Sequence, residues 1–594
     1  MKAPVSPKPF SSKYLALAFW LILLAAALWI SELGRTALIN WNGLPLVGQF
    51  WRAALQPALD AEFVRVIVQA ALTTFAFAVC GTTVSLVVGL MGGIVCSRLW
   101  WQICWPGPMG LLLWRSIRGL LAIPRAIHEL IWGLLLLNLL GLNALVGVLA
   151  IAIPFGAITA KVFSEILDET PTAPLEALIH SGVRPGVAFV YAHFPQALPN
   201  LISYSFYRFE CSLRSAAVLG VIGAGGLGFQ IRLSLSSLQY EQLWTGFYAL
   251  MLMNGLVDGW SGWLRRVLGF VSRMDVTSTT LSHREAHIPS HWESPSPERS
   301  HRPLAFSQSM GTQPLEETLR PKRHWLVWVS LGAIALTVPL CFGYLDLEWG
   351  RFGRASGLMV ELWADLVPGK VLPQFGFGLL PLAVQTVAMS AIAITLASVG
   401  GVLFSFPAAQ NFALPGGLLD AVGETPRWTV GRTVRVGGLV VVRLVLLWAR
   451  AIPAPILALV ILYGMFPGVW PGALALAIHN FGILGRLMAE VNENLPDGPL
   501  RGLRSLGASG GGVVLYGVLP MNLPRFLAYG LYRWEVCLRE TVIVGLVGAG
   551  GLGRLMMEQL SSLDYSGLAA TLTMFVGLTV VVDGVSGWMR ECVR

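Results

Sequence analysis

Charge is what this chain has least of. Asp, Glu, Lys and Arg make up 12% of its 594 residues, against about 25% in a soluble globular protein. With 55% hydrophobic residues and a mean hydropathy of +0.66, that excludes an ordinary water-soluble domain and places the chain in lipid. Ten-residue stretches of alternating polarity are missing too, which excludes a membrane β-barrel. Helices remain as the architecture that satisfies its own backbone in a bilayer. The seven cysteines (80, 96, 104, 211, 341, 537, 592) show no CxxC spacing, which argues against a disulfide framework and a thiolate metal site. No GxxxxGK[ST] phosphate loop occurs, so the chain is not expected to hydrolyse ATP, and no catalytic or metal-ligating set stands out. The net charge of +9 might suggest nucleic acid in a soluble protein. Here basic loops on the cytoplasmic side of a membrane account for it.

What the chain has is a repeat. GAGGLG stands at 223–228 and again at 548–553, an offset of 325 that also pairs Gly182 with Gly507, Pro195 with Pro520, Tyr207 with Tyr532 and Glu210 with Glu535. Between 195–228 and 520–553, 16 of 34 positions are identical without a gap. Prolines, glycines and charges hold that register, which marks a duplicated unit rather than a chance likeness of apolar sequence. The reading divides the chain into a first unit over 1–271, a linker over 272–324 and a second unit over 325–594. The linker is rich in Ser, Pro and His without helical periodicity, and is expected to be a disordered tether.

Apolar runs predict helices near 14–30, 63–96, 119–141, 143–164, 197–222 and 243–263, then near 325–345, 376–406, 434–463, 468–490, 522–547 and 567–589. The N-terminal run from Tyr14 to Ile30 follows a basic head with no evident cleavage site and reads as a retained first helix. Placing the N-terminus inside puts eleven basic residues of the first unit on the cytoplasmic side and leaves Arg35, Arg52 and Arg232 outside, as the positive-inside rule demands. Six helices return the chain to its starting side. The two units are therefore expected to run parallel, with both termini cytoplasmic. The fold class is all-α, a polytopic membrane protein of about 12 transmembrane helices in two six-helix repeats.

Three features within the repeat invite a function. The first is the pair of ionisable heptads RFECSLR (208–214) and RWEVCLR (533–539) inside apolar stretches. Charges at mid-span cost about 3 kcal/mol by insertion scales, so they face a bundle interior or a watery path. Glu210 with Arg214, and Glu535 with Arg539, share a helix face at four-residue spacing; Arg208 and Arg533 point elsewhere. They are either internal ion pairs that lock packing or the lining of a pathway in which arginine forks meet passing oxyanions. The second feature is the glycine run. It lacks the strand and crossover of a dinucleotide fingerprint, and Gly223, Gly225, Gly226, Gly548, Gly550 and Gly551 are expected to permit a tight turn at the outer, periplasmic end of the fifth helix. The third is a cytoplasmic segment in each half: a short helix, a glycine turn and a proline-started helix, at 174–195 and 499–520.

That segment resembles the EAA loop of ABC-transporter permeases, Glu-Ala-Ala, three residues, Gly, nine residues, then Ile-x-Leu-Pro. The match is Glu176, Ala177 and Gly182 in the first copy and Arg501, Gly502 and Gly507 in the second, where Arg501 replaces the acid. The Tyr-Arg-[Phe/Trp]-Glu core and the glycine run resemble the permeases of phosphonate and phosphate importers, a type I importer fold, here with two units fused. The resemblance implies a transport subunit, not an enzyme. It would work by alternating access with two copies of an ATP-binding subunit, which would hold the ATP and Mg, and with a periplasmic or lipid-anchored binding protein, in a bacterial inner membrane. Phosphonate, phosphate, phosphite or a related oxyanion is the implied cargo. Methionine- and osmolyte-type permeases share the coupling loop and remain an alternative, as does an ion-driven transporter with parallel repeats. Among the remaining residues, His479 and Asn480 suggest hydrogen-bonded packing. Lys161 with Glu165 and Arg486 with Glu490 suggest ion pairs at four-residue spacing. Trp41, Trp51 and Trp349 suggest interface anchors or binding-protein contacts.

Overall fold

The computed structural model describes residues 11–31, 38–267, 324–348, 378–414, 430–545 and 548–593, with scattered positions between 350 and 376. The linker up to residue 323 and Trp349 lie outside the described residues. The principal helices of the first half are α1 Ser11–Ile30, α2 Ala61–Cys96, α3 Pro108–Leu120, α4 Glu129–Leu140, α5 Ala144–Glu169, α6 Phe194–Leu219 and α7 Tyr240–Val267. Those of the second half are α8 His324–Leu345, α9 Leu379–Ala408, α10 Val430–Ala451, α11 Ala454–Gly464, α12 Val469–Glu493, α13 Leu519–Gly545 and α14 Tyr565–Val593. Among the described residues there is no strand, and the one β-type pairing is an isolated bridge between Ile39 and Met465.

Six helices are long and apolar enough to cross a membrane, and two bent pairs bring the number to eight. Four more helices of 22 to 28 residues, α6, α7, α8 and α13, complete the twelve. Three of these four carry the charges described below. The runs at 119–141 and 434–463 each count as one helix in the sequence reading, and in the structure each is a bent pair. The α3 segment extends through a short turn to Ala126 and meets α4 at 83°, while α10 meets α11 at 96°. Pro453 explains the second break, because proline has no N–H to donate and pushes its predecessor out of helical geometry. In the first half the chain is extended at Ile127, and the His128 ring restarts the helix by accepting the Leu130 N–H at 3.3 Å.

The halves exchange their first helices. α1 lies against α9 and α14, and Trp20 meets Trp534 edge-on with ring centroids 5.0 Å apart. α8 lies reciprocally against α2, where Tyr344 and Thr73 share a hydrogen bond of 3.1 Å and Cys341 joins the core around Phe77 and Cys80. Each half therefore depends on the other to cover its outer face. Trp20→Ala is expected to lower the stability of the detergent-solubilised protein by about 2 kcal/mol, measured by thermal unfolding, because the ring is partly buried against its neighbour.

The five-residue turns Phe189–His193 and Val514–Val518 are wider than α-helix and lead into α6 and α13. Prolines follow at 195 and 199, and at 520 and 524. The widened turn absorbs hydrogen bonds that these prolines cannot make.

Candidate translocation pathway

α6 and α13 carry the ionisable heptads and come together near their far ends, at the seam between the halves, where Val218 and Ile543 form one apolar cluster with Leu130 of α4. On α13, Arg533 is held on both sides. Its Nη2 donates to Glu540 Oε1 at 2.6 Å and its Nε donates to Asn480 Oδ1 at 2.5 Å. Asn480 Nδ2 in turn donates to Glu540 Oε2 at 2.9 Å. Asn480 and Glu540 are buried, so this closed triangle neutralises its own charge away from water, the condition under which a buried pair is tolerated. His479 is tied to the broken helix through its Nδ1 and the Ile452 carbonyl oxygen, 3.1 Å apart.

The four-residue pairing expected for Glu535 and Arg539 does not form. Arg590 on α14 lies 2.8 Å from Glu535, while Arg539 donates to the Glu535 and Arg125 carbonyl oxygens at 3.3 and 3.1 Å. The Arg125 contact crosses from one half to the other. Arg214, the counterpart of Arg539, lies within 3.4 Å of the Cys211 sulfur, and Glu210 is half-buried. The expected pairs Lys161–Glu165 and Arg486–Glu490 do form, at 3.9 and 2.7 Å.

Arg208 is placed unlike Arg533. Its guanidinium lies 4.6 Å from the centre of the Phe155 ring and donates to the Tyr204 hydroxyl. Phe155 and Ser215 occupy the positions of Asn480 and Glu540 in the 325-residue register. The nearby acid of the first half, Glu129, instead accepts from the Ser215 hydroxyl at 2.6 Å and lies 3.2 Å from His128.

Sequence reading missed a second set of charges. Arg125 and Arg450 match at the 325 offset, as do Asp258 and Asp583. Arg450 forms an ion pair with Asp258 across the halves, and Asp583 lies in the field of Arg125. Arg443, Arg450 and Arg486 line one small pocket, and their counterparts are Arg118, Arg125 and Lys161. The available signal was that register: charges recurring in step inside apolar spans.

Toward the other end, the two short helices Ala173–His180 and Asp497–Ser505 end alike. Gly182 (φ +87°) and Gly507 (φ +85°) take left-handed backbone. The N–H groups of Gly182 and Val183 bond the Ile179 and Leu178 carbonyls, and those of Gly507 and Ala508 bond the Arg504 and Leu503 carbonyls. This double capping needs a residue without Cβ at the turn. Leu175 and Leu500 anchor the helices, whereas Glu176, Ala177, Arg501 and Gly502 face outward. Glu176 accepts from the Thr172 hydroxyl at 2.7 Å, a side-chain contact across the first turn of its own helix. Tyr191 and Tyr516, again in register, are each 76% exposed beside these helices.

At the far ends of α6 and α13 the glycine runs fold back. Gly223, Gly225, Gly226, Gly548, Gly550 and Gly551 all have positive φ, between +70° and +106°. Thr74 of α2 caps the returning helix by accepting the Leu227 N–H at 2.8 Å, and Thr386 of α9 accepts the Leu552 N–H at 3.0 Å. Trp51 packs tilted against Trp244 and Trp448, and Trp41 is exposed.

Two parallel sets of charged, kinked helices with matching capped loops define a multi-pass membrane permease built from a tandem duplication. The model of one protein family, the binding-protein-dependent transport system inner membrane component, matches residues 109–268 and 433–591, more than half of the chain. The chain belongs to that family, twice over, and is a transport subunit rather than an enzyme. The phosphate-import permease protein PhnE of Mycolicibacterium smegmatis is 27% identical over 567 residues, covering 95% of this chain and 92% of its own length. The phosphite transport system permease protein PtxC of Stutzerimonas stutzeri is 32% identical over 42% of this chain and 87% of its own. Among solved structures, an inward-facing MetNI methionine ABC transporter chain aligns over 35% of this chain and 98% of its own at 19% identity, with a TM-score of 0.31.

Proposed function

We propose that this chain forms the membrane pathway of an ATP-driven importer for phosphate, phosphonate or phosphite. The observation that carries the reading is the end-to-end likeness to a phosphate-import permease, on a chain whose seam holds several arginines. Arginine presents a planar fork that fits tetrahedral oxyanions. Arg208, Glu210, Arg214, Glu535 and Arg539 would border the path, with Arg533 braced beside it by Glu540 and Asn480. Glu176–Gly182 and Arg501–Gly507 would dock in two copies of an ATP-binding subunit, with Tyr191 and Tyr516 flanking the contact. ATP and Mg belong to that partner. ATP binding would draw the two loops together, part the halves outward and admit cargo from a binding protein; hydrolysis would reset the inward state. The setting is a bacterial inner membrane with both termini cytoplasmic and the glycine turns at the periplasmic side.

The test is uptake of ³²P-labelled inorganic phosphate by cells carrying this chain with its ATPase and binding protein, against labelled methionine. Phosphate accumulation supports the reading, and methionine accumulation alone overturns it. The loops carry their own prediction. Gly182→Val with Gly507→Val places a branched side chain where φ is positive, at about 1–3 kcal/mol of strain per site. Uptake is expected to fall about tenfold or more while the ATPase subunits still hydrolyse ATP; the ratio of phosphate moved to ATP consumed reads the uncoupling.

A further inference from the structure

The two halves repeat one framework, yet they treat one arginine in opposite ways. Arg533 is gripped by a carboxylate and an amide at 2.6 and 2.5 Å. Its counterpart Arg208 is 7% exposed, and among the described residues no carboxylate lies within ion-pair distance of it. Its Nε has no hydrogen-bond partner. Its surroundings are the Phe155 ring and the Tyr204 ring and hydroxyl. Aromatic faces and a phenol attract a guanidinium, but they do not cancel its charge. A buried cation left in this condition is costly, and in a membrane such a residue faces a functional path. The duplication makes the contrast sharper, because the two positions that would supply a clamp in the first half are occupied by Phe155 and Ser215.

The location suits a passing ligand. Tyr207, next to Arg208 in the chain, packs tilted against Tyr204 with ring centroids 5.8 Å apart, and α6 reaches the other half where Val218 joins Ile543. Arg208 therefore lies on the helix that borders the seam that must open in alternating access. We infer that Arg208, with Tyr204, is a one-sided subsite for an oxyanion: the anion completes in transit the charge pair that Glu540 completes permanently for Arg533. The first half selects the cargo's charge, and the second half carries the same arginine as a structural brace. This rests on the proposed oxyanion cargo and assigns the selecting residue within it.

The decisive variant gives Arg208 the clamp of the other half: Phe155→Asn with Ser215→Glu, made in a Glu129→Gln background and compared with Glu129→Gln alone, because Glu129 lies 2.6 Å from the Ser215 hydroxyl. Such a change offers the guanidinium the partners that Arg533 has, so a purely structural arginine gains support from it. Turnover of ³²P-phosphate by the assembled complex in proteoliposomes, at saturating binding protein, is expected to fall about tenfold or more, the range set by losing hydrogen bonds to a charged group. Arg208→Gln is expected to do the same, and Arg208→Lys to retain much of the turnover. Recovery and thermal midpoint of each complex are recorded alongside. Turnover in the clamped variant equal to that of Glu129→Gln alone, or wild-type turnover in Arg208→Gln, overturns the inference. So does a loss in Arg208→Gln that follows complex recovery in proportion, with Arg208→Lys no better. Failure of the wild-type complex to move phosphate at all instead overturns the proposed cargo.

Discussion

Glu540→Ala is expected to destabilise the permease by about 3–5 kcal/mol, the cost of breaking a buried ion pair and leaving one charge behind. The geometry explains the size. Glu540 spends both oxygens, one on Arg533 at 2.6 Å and one on Asn480 at 2.9 Å, and both side chains of the ion pair are close to nine-tenths buried. Removing the carboxylate strands the guanidinium and one amide hydrogen together, with no water to take them. Glu540→Gln keeps a hydrogen-bonding end and is expected to cost less, as the charge alone is lost. Thermal unfolding of the solubilised chain reads both. If Glu540→Ala unfolds within a degree or two of the parent, the triangle is not the brace described here and Arg533 is free to serve the path as Arg208 does.

The second large effect lies at Gly228. A Cβ built there sits 1.9 Å from the Ala217 carbonyl oxygen and 3.1 Å from the Gly220 Cα. The obstacle is the backbone of α6 and its turn, not the end of a side chain, so rotamer changes give no relief. Gly228→Ala is expected to cost about 3 kcal/mol or more, at the upper end of overpacking substitutions. Folded, membrane-inserted protein is expected to fall sharply, measured by size-exclusion recovery. Gly553 makes the corresponding approach, 2.7 Å from Val542, and the same change there is expected to act alike. Gly182→Ala, where nothing lies within 4 Å of the added Cβ, is the contrasting case: it meets backbone strain but no clash.

These two sites show what the sequence disclosed and what it withheld. The duplication, the membrane class and the capped loops were legible because each rests on local chemistry: low charge, glycine at a fixed place, proline after it. The bends at 127–128 and 452–453 were half legible. Proline marked the second, but the apolar run continues through it, and hydropathy counts residues without regard to direction. The partners of the charges were not legible. Spacing of four suggested Glu535 with Arg539, whereas Arg590, 55 residues away, takes Glu535. Glu540 lies seven residues from Arg533, two helical turns, a spacing that a search for four-residue pairs passes over. Asp258 and Arg450 meet across the seam and belong to different halves, so no local pattern could join them. The exchange of α1 and α8 was equally hidden, because a helix that is apolar all round does not say which neighbour covers it.

The central claim is that this duplicated chain moves an oxyanion only when a separate ATPase drives its two capped loops. The most direct measurement is accumulation of ³²P-phosphate in proteoliposomes holding the purified chain, with and without its ATPase subunits, at saturating binding protein. Uptake that needs both the ATPase and ATP, and that is lost in the Gly182→Val, Gly507→Val double variant while hydrolysis continues, is the predicted result. Uptake by the chain alone, driven by an ion gradient, would contradict it.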